Sequence, residues 1–149
     1  MNRYLRVSVS RGIVLTLLCL AVSACHIKLV SDYDDEFIRA ATSTQKEIST
    51  LLQKLKNPPA GSDITYKGNI EGYNKIDVDL DGLLVLAMAH QGNDQTVAQV
   101  KKIIGMVKDL ENLHKNSTLS ANFLIQEQQH ISAAFAFVIR TENDKKAGK

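Results

Sequence analysis

Residues 37–59 read FIRAATSTQKEISTLLQKLKNPP. Phe37, Ala41, Thr44, Ile48, Leu51 and Leu55 recur at alternating intervals of four and three residues. That spacing lines one face of a helix and is incompatible with the period of two that a half-buried strand requires. Asp34, Asp35 and Glu36 precede the seam, where the positive end of a helix dipole favours carboxylates, and Ser31 or Asp32 is placed to cap the start. Asn57-Pro58-Pro59 closes the segment, because proline disfavours a helical residue before it and cannot donate a backbone hydrogen bond. One amphipathic helix of this length cannot cover its own apolar face, so the rest of the chain must supply partners.

Downstream the same period returns three times. Tyr66, Ile70, Tyr73, Ile76, Leu80, Leu83, Leu84 and Ala87 form a second seam that starts near Ser62 or Asp63 and ends at His90-Gln91-Gly92, with Gly92 suited to a left-handed C-cap. Val100, Ile103, Ile104, Val107, Leu110, Leu113 and His114 form a third, opened by Thr96-Val97-Ala98-Gln99 in the pattern of a capping box. The fourth carries Leu124, Ile131, Ala134, Phe135 and Val138, with Ser120 as N-cap and Leu119 and Leu124 as a hydrophobic staple. Helices over about 32–56, 63–90, 97–115 and 121–142, joined by short turns, predict an all-α, antiparallel up-down-up-down four-helix bundle. Residues 143–149 read as a polar tail.

Upstream of the bundle the character changes. Arg3, Arg6 and Arg11 precede Gly12-Ile13-Val14-Leu15-Thr16-Leu17-Leu18-Cys19-Leu20-Ala21, an uncharged run shorter than the roughly 20 apolar residues that span a bilayer. Basic start and short apolar run are the layout of a secretory signal. Val22-Ser23-Ala24-Cys25 then resembles the lipobox of bacterial lipoproteins. The resemblance implies that residues 1–24 are removed, that Cys25 carries a thioether-linked diacylglycerol, and that the new N-terminus is acylated, anchoring the chain in a lipid bilayer. His26 stands where an aspartate would favour the inner membrane, so the implied location is the outer membrane, on its periplasmic face. Residues 25–31 form a short tether.

Removal of the signal would take three basic residues and no acid, leaving fifteen basic against sixteen acidic side chains on 125 residues. The formal charge of +2 over the full 149 residues therefore describes the export signal, and no cationic surface for nucleic acid remains. Cys19 would leave with the signal and Cys25 would be alkylated. The mature domain is thus expected to stand on core packing without disulfides.

The sequence from Cys25 to Asp34, together with Asp79-Leu80, Asn93-Asp94-Gln95-Thr96 and the closing helix, resembles a group of small Gram-negative lipoproteins carrying Leu-Val-Ser-Asp-Tyr-Asp just after the lipidated cysteine. The resemblance carries no catalytic role across to this chain. It does single out Ser31, Asp32, Tyr33 and Asp34 as candidates for recognition, against the plainer reading of a helix cap and first turn.

Other constellations read more weakly. Asp77-Val78-Asp79-Leu80-Asp81-Gly82 matches the first half of a calcium-binding loop, but the closing position holds Met88 where a bidentate glutamate is needed. The apolar stripe of Ile76, Leu80, Leu83 and Leu84 also runs straight through Asp77, Asp79 and Asp81, so the stretch reads as helix. Met106 and His130 stand at equal distances from the turn between the third and fourth helices, the arrangement a haem would need, yet both fall beside their apolar stripes rather than on them. No nucleophile elbow, glycine-rich phosphate loop or helical histidine pair is present in the sequence. The expectation is a non-enzymatic lipoprotein without cofactor, acting as a helical interaction or scaffold module for another envelope protein. The alternative is a carrier of a small ligand or cofactor, haem included, in the bundle interior.

Overall fold

The computed structural model describes residues 31–147. Cys25, the lipobox and all but the last residue of the tether lie outside the described residues. Four helices follow in order: α1 (Asp35–Lys56), α2 (Ile70–Met88), α3 (Asp94–Asn116) and α4 (Ala121–Lys146), with a short 3₁₀ turn at Lys67–Asn69 leading into α2. Each helix packs against its two neighbours in a closed ring, α1 on α2 and α4, and α3 on α2 and α4. The architecture is the all-α four-helix bundle that the seams predict. Among the described residues no helix is long and apolar enough to cross a membrane.

The seams meet at the centre. Phe37, Ala41, Ile48 and Leu55 of α1, Tyr73, Ile76, Leu80 and Leu83 of α2, Val100, Ile103 and Val107 of α3, and Leu124, Ile131, Phe135 and Val138 of α4 form one buried cluster. The four-three spacing of the sequence is thus the register in which each helix faces the others. Thr44 is also buried, and its hydroxyl is satisfied by donating to the Ala40 carbonyl at 2.9 Å.

Several boundaries differ from those read in the sequence, each for a local reason. α1 begins at Asp35 because Asp34 is the N-cap, its carboxylate accepting from the Glu36 and Phe37 amides at 2.8 and 3.1 Å. Neither Ser31 nor Asp32 caps it. α2 begins at Ile70 instead of Asp63 because residues 63–69 make their own hydrogen bonds. Asp63 accepts from the Thr65 amide, and the Asn69 side-chain amide donates to the carbonyls of Asp63 and Thr65. Gly68 is needed here, since a Cβ would run into the Asp63 carboxyl group. Gly92, at φ +78°, makes the left-handed turn expected of it.

α3 starts three residues before Val97, with Asn93 as its N-cap residue and Thr96 inside the first turn, so the capping-box reading fails. α4 runs to Lys146, through most of the stretch read as a polar tail, while Ser120 caps its start by accepting from the Phe123 amide at 3.3 Å.

Phe135 is completely buried at the centre of α4. Phe135→Ala should lower unfolding free energy by about 3–5 kcal/mol, whereas Val85→Ala, on the outer face of α2, should change it by less than about 0.5 kcal/mol. Urea denaturation of both variants checks the pair.

Candidate functional site

Antiparallel topology gives the bundle two ends, and each holds a polar cluster. At the first, the chain enters α1, turns from α2 into α3 and leaves α4. Lys145 of α4 has a side chain only 7% exposed and pairs with Glu142, 1% exposed, at 2.6 Å. The Lys145 ammonium also donates to Asn93 Oδ1 at 2.6 Å, Ser31 Oγ at 2.8 Å and Thr96 Oγ1 at 3.3 Å. Its three N–H groups are therefore saturated by oxygens from three separate stretches of chain. The other Glu142 oxygen accepts the Asp34 amide at 3.0 Å, and the Asn93 amide donates to the Ala87 carbonyl at 2.6 Å.

This cluster gathers residues that the sequence reading kept apart. Ser31, buried against Asn93, is built into the bundle and is not part of a free tether. Asp34 is the N-cap, and its remaining oxygen lies 3.1 Å from His90 Nε2. Burial of the Asp34 carboxyl works to raise its pKa, but hydrogen bonds from the Phe37 amide, His90 and the Glu36 amide outweigh it and hold the group below the usual carboxylate range. Tyr33 donates to Asp35 at 2.6 Å and lies under the Lys146 ammonium, 4.7 Å from its ring centre. Asp32 is exposed. Of the four recognition candidates, Ser31 and Asp34 are thus committed to internal contacts. Glu142 and Lys145 were missed, although they stand four and seven residues beyond Val138 and so continue the buried seam of α4.

The opposite end carries an aromatic group. Tyr66, Tyr73 and His114 rings lie 5.6–6.0 Å apart. His114 Nε2 stands 2.9 Å from the Ile64 carbonyl, which can only accept, so Nε2 donates there, and Nδ1 is hydrogen-bonded to the Tyr73 hydroxyl at 2.9 Å. Burial, helped by the charge of Glu111, pushes the Tyr73 hydroxyl well above its ordinary pKa and keeps it a donor. Glu111 accepts from Tyr66 at 2.7 Å and pairs with Lys115 at 2.9 Å. Burial opposes its ionisation, but the Lys115 and Tyr66 contacts prevail and lower its pKa.

Asp77, Asp79 and Asp81 lie within the continuous helix α2, so their carboxylates follow helical spacing and not that of a calcium loop. Asp79 is held by Lys75 at 2.9 Å, and burial together with Glu111 raises the Asp77 pKa. Among the described residues there is no group of three or more side chains arranged to hold a metal ion. Met106 and His130 do share a wall, but it is that of an open groove of about 430 Å³ between α3 and α4, where the His130 side chain is 65% exposed. The bundle interior beneath them is filled by Ile103, Val107, Ile131 and Phe135. The pair therefore lies outside the interior that the haem-carrier reading requires.

That groove has an apolar floor of Met106, Ala133, Ala134 and Phe137. It meets a second groove at Phe137, of about 490 Å³, which runs past Arg140 and Asp144 to the Lys145 cluster. Gln99 forms part of the wall, donating to Thr141 at 3.1 Å while its Oε1 is buried without a hydrogen-bond partner. Compared with family models, curated proteins and solved structures, the chain matches none of them.

Asp34 and Glu111, the partly buried carboxylates whose pKa is lowered, set an acid limit on stability. A group whose pKa is depressed by folding stabilises the fold fully above its unfolded value, about 4 for a carboxylate, and loses that contribution as pH falls through the folded value. Thermal melts between pH 6 and pH 2 should show stability declining below about pH 4. Asp34→Asn and Glu111→Gln should each make that decline shallower, and an unchanged pH profile in both variants would contradict the assignment.

Proposed function

We propose that this chain is a lipid-anchored, non-enzymatic module of the bacterial outer membrane, facing the periplasm, whose outer helix faces bind another envelope protein close to the bilayer. The observation that carries the reading is a division of labour among the side chains. The polar clusters at both ends spend their hydrogen bonds on the fold, whereas large apolar side chains are left outside it. Val78, Val85 and Met88 on α2 are 71, 66 and 61% exposed, and Phe137 beside the groove is 55% exposed. Clustered apolar groups rimmed by polar ones mark interaction surfaces, while scattered single ones do not.

The lipobox resemblance supports the anchor. It leaves residues 26–30 between the acylated Cys25 and Ser31, and five residues extend at most about 18 Å. Ser31 is fixed to the bundle by Lys145 and Asn93, so the polar end would be held against the membrane surface. An anchored protein with short reach meets partners beside it, and its side faces are where the exposed apolar groups stand.

Fractionation of intact cells tests both parts. The wild-type chain should be found in the outer-membrane fraction at the lipidated mass, and Cys25→Ser should abolish both. A photo-crosslinking residue at Val85 or Phe137 should capture a specific protein that the same residue at Thr42, on the outer face of α1, does not. A Cys25→Ser chain that keeps the lipidated mass would overturn the anchor, and absence of adducts at all three positions would overturn the interaction reading.

A further inference from the structure

Residues 34–31, followed back from the start of α1, cross the polar end of the bundle. The Asp34 amide is held by Glu142 of α4, while Ser31 accepts from Lys145 of α4 and donates to Asn93 at the start of α3. α1 and α3 stand at diagonal corners of the ring, so the chain passes from α1 to the edge that α3 and α4 share. Asn93 and Lys145 are also walls of the groove of about 490 Å³ that opens at this edge. Ser31 thus brings residues 26–30, which lie outside the described residues, to the mouth of that groove.

The mouth is acidic. Asp94 adjoins Asn93 in sequence and Asp144 adjoins Lys145, both acids line the groove, and both are exposed. Among the described residues neither carboxylate has a hydrogen bond or an ion pair. Lys145 is already matched by Glu142, which leaves Arg140 as the groove's uncompensated base. Arg140 stands four residues before Asp144, about 6 Å further from the polar end, and no salt bridge joins the two. Two acids therefore stand against one base, and the acids lie nearest Ser31.

The segment His26-Ile27-Lys28-Leu29-Val30 carries one permanent charge, that of Lys28. Three residues lead from Lys28 to Ser31, at most about 11 Å, and neighbouring Cα atoms are about 3.8 Å apart, so both acids lie within range of the lysine side chain. We infer that the occupant of the groove mouth is the chain's own tether, with the Lys28 ammonium seated between the Asp94 and Asp144 carboxylates. Ser31 is already fixed beside both acids, so the contact closes only a short loop and needs no large interaction energy. The contact leaves only His26 and Ile27 between Lys28 and Cys25, and the lipid leaves the bundle on its α3/α4 side. That consequence rests on the reading of the chain as lipid-anchored, whereas the contact itself involves no lipid.

Trypsin tests the contact, because it cleaves after Lys and Arg and must draw the basic side chain into its own pocket. Between His26 and Arg39 the sole basic site is Lys28, and Arg39 lies inside α1, where cleavage reports loss of the fold. The full-length chain, purified in detergent so that no bilayer shields the tether, would be digested and cleavage after Lys28 timed by mass spectrometry. The double variant Asp94→Asn, Asp144→Asn should be cut about three- to tenfold faster than wild type, with Arg39 uncut in both. Asp109→Asn removes an exposed acid about 22 Å along α3 from Asp94 and should leave the rate unchanged.

Equal rates in the wild type and the double variant would overturn the proposal, whether fast, with the tether free, or slow, with other groups holding it. An equal acceleration by Asp109→Asn would overturn it in favour of a general effect of net charge. If the double variant also exposes Arg39, the single Asp144→Asn, which leaves the first turn of α3 intact, is read in its place. It should raise the rate about twofold or more, and no change would overturn the proposal. A Cys25→Ser chain that keeps the lipidated mass overturns the anchor and leaves the Lys28 result standing.

Discussion

The bundle depends most on one buried ion pair. Lys145 and Glu142 sit on the last turns of α4, nearly free of solvent, and a charge removed from water costs several kcal/mol unless it is fully compensated. Compensation here comes from residues far apart in sequence: Ser31 ahead of α1, Asn93 in the turn between α2 and α3, Thr96 in the first turn of α3, and the Asp34 amide. Each of these groups has its partner only when the helices are already in their native order. The pair therefore ties topology to chemistry, and it keeps α4 helical where the sequence turns polar.

The opposite end is built on another principle. Tyr73, His114 and the Ile64 carbonyl form a chain of hydrogen bonds under an aromatic lid, with Glu111 and Lys115 at its edge. It closes the loop between α1 and α2 over the core. In the anchored orientation the ionic end would face the bilayer and the aromatic end the periplasm. The features left unused by the fold are then on the side faces: the exposed Val78, Val85 and Met88 of α2 and the groove between α3 and α4.

The helices were legible because their burial is a matter of spacing. Phe37, Ala41, Thr44, Ile48, Leu51 and Leu55 are all buried, as the intervals of three and four require. What escaped reading was polar residues on buried positions. Glu142 and Lys145 continue the α4 seam, but charge suggests solvent unless the partner residues are known, and those lie some fifty and over a hundred residues away. Thr96 resembled a helix cap for the same reason, although its hydroxyl accepts from Lys145. The loop at 63–69 was read as helix because Tyr66 and Ile70 fit the period, while the hydrogen bonds of Asp63 and Asn69 that fix the loop leave no periodic trace. Ser31, Asn93, Thr96 and the end of the closing helix, far apart in sequence, meet in one cluster.

The chain entering the bundle is held to the distant α4 at the Asp34 backbone. Its amide precedes the helix and has no helical acceptor; Glu142 provides one at 3.0 Å. Amide hydrogen exchange at Asp34 tests directly whether the ion pair holds the entering chain to the bundle. The account predicts slow exchange, close to that of the core amides, in the wild-type chain, and fast exchange in Glu142→Leu under conditions where Ile103 and Phe135 remain protected. Fast exchange at Asp34 in the wild type, with the core protected, would contradict it.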